Sequence, residues 1–230
     1  NLGAFQSESE KLNSFLLPIL CPRKEKLKLF NLPIPPLAII SGKHGSGKSA
    51  LIQSTLQQFF IAPYFVYYNI LPFDTLLHRN IHTLQRYISE SVRLALLNQP
   101  SIIIFENIEA IVTTDQQGEH TLLSEQLCEF LVDIMNNLSE ESQRIAFILT
   151  TTSISTLHKS IRSSNITNIQ IELQAPTQDQ RIEIFQALAE RKNVNIQEDI
   201  IPIISKKCEG YLPADLVQLF DRAIHQYAFR

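Results

Sequence analysis

Apolar residues fall along this chain in two rhythms. Five short runs, at 37–41, 64–70, 101–105, 145–151 and 169–173, are dense in Ile, Leu, Val, Phe and Tyr. Their length and composition predict strands, mostly of the kind covered on both faces in a parallel sheet. Between them the period lengthens. Leu127, Phe130, Leu131, Ile134, Met135 and Leu138 recur at the spacing of an amphipathic helix, as do Ile81, Leu84, Ile88 and Val92. Strands alternating with helices predict a doubly wound α/β fold. After Pro176 the pattern is helical only, over 181–191, 200–207 and 214–228, with Gly210 suited to a turn. The expected division is a large α/β subdomain at 1–175 and a small helical lid at 176–230. The polar stretch from Thr113 to His120 predicts a loop.

Composition narrows the classes. The 230 residues carry 20 basic and 23 acidic side chains, a formal net charge of -3, and these are interspersed. That balance gives no electrostatic case for nucleic acid or an anionic membrane. One basic cluster (Arg23, Lys24, Lys26, Lys28) is broken by Glu25 and reads as a solvated face. Cys21, Cys128 and Cys208 are far apart and odd in number, which argues against a disulfide framework or zinc site and fits a reducing compartment. No signal peptide is expected, since Glu8, Glu10 and Lys11 interrupt the first segment. The uncharged stretch 29–42 is broken by Pro33, Pro35 and Pro36, so no membrane span is expected.

The chemistry begins at Gly42-Lys43-His44-Gly45-Ser46-Gly47-Lys48-Ser49, which matches G-x-x-x-x-G-K-[ST]. A strand pattern leads in, and a helical run over 49–60 leads out, as a phosphate loop requires. Glycines let successive backbone N–H groups converge on one anion, and the helix N-terminus adds its dipole. Lys48 then reaches the β- and γ-phosphates of ATP, and Ser49 ligates Mg²⁺. Ala50 closes the binding segment.

A second segment follows the third strand, Glu106-Asn107-Ile108-Glu109. In phosphate-loop enzymes a carboxylate at such a strand end holds the Mg²⁺ shell, in some through water. One register puts Glu106 at that metal position and Asn107 where a catalytic base belongs. An amide can hydrogen-bond water but cannot take its proton. The other register makes Glu106 the base and leaves Phe105 at the metal position. Glu109 is a possible substitute base two residues past Asn107. Either register predicts ATP binding with slow turnover.

With both segments in hand, the chain resembles an AAA ATPase module over nearly all its length. Leu2-Gly3 is similar to the family's entry segment beside the adenine. Gly210-Tyr211-Leu212-Pro213-Ala214-Asp215-Leu216 is similar to its G-[FY]-x-G-A-D-L second-sensor signature, which places Pro213 and Ala214 at the nucleotide. The tail from Phe220 to His225 and the strand Gln99-Pro100-Ser101-Ile102-Ile103-Ile104-Phe105 look like the first, N-terminal module of the larger peroxisomal AAA ATPase. That resemblance implies ATP and Mg as cofactors and a heterohexamer with the other peroxisomal AAA protein. It implies a ubiquitinated import receptor as substrate of the whole complex and a membrane anchor protein. The location implied is cytoplasmic, recruited to the peroxisomal membrane. The departures matter too. Ser153 stands at the sensor-one asparagine. Ile166 and Ile169 stand at the two arginine-finger positions, with Arg162 four residues early. Asn69-Ile70-Leu71-Pro72-Phe73-Asp74 replaces the aromatic pore-loop pattern. The implied module binds ATP, hydrolyses it poorly and stabilises a ring.

Other arrangements carry less. His78 and His82 have a metal-ligand spacing but no third ligand. Asp115-Gln116-Gln117-Gly118 spells D-x-x-G away from any strand end. Tyr64, Phe65, Tyr67 and Tyr68 read as strand core. Three alternatives stay open: another AAA protein-remodelling module, a small-molecule kinase using Arg181 and Arg191 in the lid, and an interaction module with a vestigial site.

Overall fold

The computed structural model describes residues 3–20, 35–59, 65–76, 79–110, 119–140, 144–162, 166–196 and 199–228. Leu2, Cys21, the basic cluster at 23–28, Tyr64, His78 and the D-x-x-G segment lie outside them. The strands are β1 (Leu37–Gly42), β2 (Tyr67–Pro72), β3 (Ser101–Glu106), β4 (Ile145–Thr151) and β5 (Thr167–Leu173). The helices are α1 (Gln6–Leu20), α2 (Lys48–Leu56), α3 (Ile81–Leu97), α4 (Glu119–Glu140), α5 (Lys159–Arg162), α6 (Gln178–Lys192), α7 (Ile200–Lys207) and α8 (Pro213–Ala228). Among the described residues no helix is long and apolar enough to cross a membrane.

The chain forms two compact units. One comprises Lys11–Ser41 and Gln57–Glu172, the other Asn1–Glu10, Gly42–Leu56 and Leu173–Arg230. The first holds the sheet, in strand order β2-β3-β4-β1-β5. Neighbours from β2 through β1 pair in parallel. The inner strands β1 and β4 are buried at every position, which explains their unbroken apolar runs. The edge strands are not. In β5 Gln170 and Glu172 are exposed while Ile171 and Leu173 are buried.

Strand β2 departs from its expected span of 64–70. Pairing starts at Tyr67 opposite Ser101 and continues to Pro72 opposite Glu106. Phe65 has φ of +42°, in the left-handed region that a strand residue does not adopt. It is 72% exposed, and Tyr68 is exposed as well, so these aromatics are not core. Strand β2 is at the sheet's edge and pairs with β3 alone among the described residues. A further departure is α1, whose Leu12, Phe15, Leu16, Ile19 and Leu20 are buried at helical spacing despite Pro18. Residues 49–60 are helical to Leu56, then continue as a 3₁₀ turn over Gln57–Phe59. His120, expected in a loop, lies within α4.

The core of the sheet unit is built around three phenylalanines. Phe105 stacks on Phe147 with ring centroids 6.0 Å apart and meets Phe73 edge-on at 5.7 Å. Ile88, Val92 and Ala95 of α3 and Leu127, Cys128, Leu131 and Met135 of α4 join the same cluster. In the other unit Phe185 and Phe220 pair across α6 and α8 at 6.4 Å. Helix α6 starts with a reciprocal cap, in which Thr177 and Gln180 satisfy each other's backbone N–H.

Two outcomes follow from this core. Phe105→Ala removes the ring between two others and is expected to cost about 3–5 kcal/mol, lowering the thermal midpoint by roughly 10 °C in a melting scan. Burial, followed by the charge of Glu125, pushes the Cys128 thiol from 9.0 up to about 12. The folded thiol therefore stays protonated at pH 8 and should resist alkylation that proceeds readily in urea. The unfolded chain loses that proton first, so this group's contribution to stability declines as pH rises from about 9 towards 12.

Candidate nucleotide-binding site

The loop between β1 and α2 is held in shape by what its glycines lack. A Cβ on Gly42 would lie 2.6 Å from Ser46 Oγ and 2.8 Å from the Leu173 carbonyl, closer than such atoms can approach. Gly45 and Gly47 have φ of +81° and +97°, a region side-chain-bearing residues avoid. The Ser46 N–H donates to the Lys43 carbonyl at 3.0 Å and tightens the turn. Ser46 is fully buried and its hydroxyl has no hydrogen-bond partner among the described residues. Leaving such a group unpaired costs about 1–3 kcal/mol, which a turn shaped for stability alone would not carry.

Lys48 is the first residue of α2 and is buried. Its ammonium curls back over the loop, donating to the carbonyls of Gly42 at 2.6 Å and Lys43 at 3.2 Å. A cation at the centre of the loop, beside a helix N-terminus with no acidic residue in its first turn, makes a locally positive anion cradle. Ser49 is exposed on that first turn, Ala50 is half-buried, and Lys43 and His44 are exposed at the rim.

The lid meets the same loop. The Ala214 N–H donates to the Gly45 carbonyl at 3.1 Å. A Cβ on Gly45 would lie 3.0 Å from that of Ala214, and one on Gly47 would lie 3.4 Å from the Phe5 ring and 3.8 Å from Pro213. Pro213 is the first residue of α8, where its missing N–H costs nothing. Gly3 opens a 3₁₀ turn that ends at Phe5, and the next residue, Ala4, accepts from Gln180 Nε2 at 2.7 Å. Pro213 and Ala214 thus lie beside the loop segment, as does Phe5, of which the sequence gave no sign. Arg181 is tied to the carbonyls of Ser205 at 2.8 Å and Pro176 at 2.7 Å. That guanidinium is part of the lid's own packing and cannot clamp a transferred phosphoryl group.

The sheet unit carries the acidic segment. Glu106 ends β3 half-buried. Asn107 then has φ of +54°, a left-handed conformation that asparagine tolerates well. Its N–H donates to Thr150 Oγ1 at 3.0 Å, and its amide reaches Asp74 at 3.5 Å. The turn it makes feeds a 3₁₀ segment, Ile108–Ala110. This swings Glu109 against the end of β4, where Oε1 accepts the Thr152 N–H at 3.1 Å. Neither Asp74 nor this use of Glu109 was legible from spacing.

Ser153 is employed locally. Its hydroxyl caps a short 3₁₀ turn, 3.3 Å from the Ser155 N–H and 2.8 Å from Ser155 Oγ. Ile166 is 2% exposed, inside the core cluster, and its carbonyl accepts the Leu37 N–H at 3.0 Å. Ile169 lies within β5 rather than before it. Arg162 ends the short helix α5, with Nε buried and unpaired among the described residues. Phe73, in the segment standing where a pore loop is expected, is fully buried. No group of three or more potential metal-binding side chains occurs among the described residues, and His82 is exposed.

The left-handed turn yields a test of its own. Asn107→Gly is expected to leave stability nearly unchanged, whereas Asn107→Val should cost about 1–2 kcal/mol by urea denaturation, because a β-branched side chain is strained at this φ.

Comparison with known proteins agrees with this geometry. Residues 38–175 match the family described as ATPase family associated with various cellular activities (AAA). The chain is 29% identical over 204 residues to "Peroxisomal ATPase PEX1" of Cricetulus griseus, covering 84% of this chain and 16% of that protein. The protein of the same name in Komagataella phaffii is 26% identical over 194 residues, covering 84% and 17%. "Cell division control protein 48 homolog B" of Arabidopsis thaliana is 22% identical over 204 residues, covering 84% and 32%. The chain thus spans about a sixth of the length of the PEX1 relatives it matches. With a family match across more than half its length, on the strand that leads into a phosphate loop built as described, this chain belongs to the AAA family of ATPases.

Proposed function

We propose that this chain is an ATP-binding module, the first of two, in a peroxisomal AAA ATPase, with a large subdomain at 1–175 and a lid at 176–230. In this reading the loop N–H groups and Lys48 hold the phosphates. Ser49 and, directly or through water, Glu106 supply oxygen donors of the kind Mg²⁺ prefers. Bound Mg²⁺ would neutralise phosphate charge. Leu2, Gly3, Pro213 and Ala214 border the nucleotide. The observation that carries the reading is the contrast between a fully formed phosphate loop and the residues that stand where the family resemblance expects hydrolytic groups. Asn107 cannot accept a proton, and Ile166 and Ile169 cannot offset transition-state charge to a neighbour. ATP then acts as a structural ligand that steadies ring contacts.

For the whole protein, the similarity to proteins named "Peroxisomal ATPase PEX1" supports a role at the peroxisome. The complex proposed is a heterohexamer with the other peroxisomal AAA protein, cytoplasmic and recruited to the membrane by an anchor protein. It extracts and recycles the ubiquitinated import receptor, with energy supplied mainly by a second module. The similarity to a cell division control protein supports a second reading, a module of another protein-remodelling AAA ATPase. The kinase alternative loses its principal lid arginine, since Arg181 is committed to backbone carbonyls.

The test is nucleotide content and turnover of the purified chain. It should retain ATP in preference to ADP and hydrolyse slowly, and Lys48→Ala should abolish retention. Asn107→Glu should raise turnover by about tenfold, below the 10²–10⁴ a positioned base contributes, because finger charge is still missing. Brisk hydrolysis by the unaltered chain that disappears in Asn107→Ala would overturn the reading.

A further inference from the structure

Gly47 is where the phosphate loop passes into α2. Its φ is +97°, and its carbonyl accepts the Leu51 N–H at 2.9 Å. The N–H groups at such a helix start have no partner within the helix. The side of Gly47 on which another residue would carry its side chain is covered by Phe5. The position of a Gly47 Cβ lies 3.4 Å from Phe5 Cε2 and 3.9 Å from Phe5 Cζ, with Pro213 Cγ at 3.8 Å. Phe5 is 3% exposed, so its ring is committed to this packing.

The ring is itself held in place. The Ala4 carbonyl accepts from Gln180 Nε2 at 2.7 Å, and Oε1 of the same amide accepts the Thr177 N–H at 3.0 Å. Both ends of the Gln180 amide are therefore used, and the 3₁₀ turn Gly3–Phe5 is fixed to the start of α6. One turn further along the chain, the Ser9 and Thr55 hydroxyls share a hydrogen bond at 3.2 Å, which ties α1 to α2. All of these residues belong to one compact unit. The segment from Gly3 to Ser9 thus brackets the loop, anchored to α6 just before the ring and to α2 just after it.

Glycine loses more conformational freedom on being fixed than any other residue. Fixing one backbone residue is costly enough to change an affinity by about tenfold. A contact already in place before the ligand arrives removes that cost from binding. Phe5 has neither charge nor hydrogen-bond donor on its side chain, so it cannot hold a phosphate itself. We propose that Phe5 is a positioning residue for the phosphate loop, its ring holding Gly47 at positive φ so that the loop is set for a phosphate chain whatever that chain is attached to. This rests on the reading above, in which the loop holds the phosphates of ATP. Through Phe5 the segment before α1 takes part in phosphate binding, apart from any contact that Leu2 and Gly3 make with the base.

The experiment measures dissociation constants for ATP and for inorganic tripolyphosphate, both with Mg²⁺, by calorimetry. It uses the whole chain, Phe5→Ala and Phe5→Leu, each well below its own melting temperature. Phe5→Ala should weaken both ligands in parallel, by about tenfold. Phe5→Leu, which keeps apolar bulk but loses the ring edge, should weaken both by about two- to threefold. Loss of ATP affinity with tripolyphosphate unchanged would show that the ring acts on the base, and overturns the proposal. Unchanged affinities beside a lowered melting temperature would make Phe5 packing alone, and overturn it too. So would an unaltered chain that holds ATP but no tripolyphosphate, since a loop set for phosphate needs no base. If Phe5→Ala does not fold, Phe5→Leu decides: a parallel loss supports the proposal, and an unequal loss or none overturns it. Each of these failures leaves ATP binding by the loop standing, whereas an unaltered chain that binds neither ligand removes that reading as well.

Discussion

Steric room for backbone at Gly42 is the constraint from which the rest of the nucleotide-binding apparatus follows. A single methyl group there would collide with both Ser46 and the Leu173 carbonyl. With hydrogen in its place, the chain can leave β1, fold tightly enough to bury Ser46, and enter α2 with Lys48 pointed back over the loop. Gly45 continues the economy of space. Its carbonyl takes the Ala214 N–H, a backbone bond between the lid and the loop.

The strand-end cluster obeys a different logic. It is organised by side chains, and its key backbone feature is a left-handed asparagine. Asn107, whose amide cannot accept a proton, also makes the turn that carries Glu109 to the end of β4. Chemistry and geometry at Asn107 are therefore linked. A glutamate introduced there must accept a backbone conformation that asparagine adopts with less strain. The proposed loss of hydrolysis and the present shape of this corner are consistent with one residue serving both.

Much of this was legible in the chain because burial on two faces leaves an unambiguous mark. Runs such as Leu37 to Ile40 and Ile145 to Leu149 could be little else than inner strands, and the glycine spacing after Ser41 permits few loop shapes. The edges were harder. Phe65 and Tyr68 are apolar by type yet exposed, since an edge strand is judged by its neighbours and not by its own residues. Helix α1 was masked by Pro18, although Leu12, Phe15, Leu16 and Ile19 keep helical spacing. Side-chain partnerships were out of reach altogether. Glu109 with Thr152, Asn107 with Asp74 and Arg181 with Ser205 are separated by 43, 33 and 24 positions, and no local pattern encodes such meetings.

The placement of Ile166 bears on what one substitution can do. Where family resemblance would set an arginine finger, this side chain is packed among Leu37, Ile161 and their neighbours in the sheet unit's core. Restoring the arginine by one substitution would drive an unpaired charge into that apolar cluster, a change that destabilises by several kcal/mol. The backbone would first have to be repacked to bring the position to the surface. A charge introduced at this one position would meet that folding cost before it could act on a neighbour.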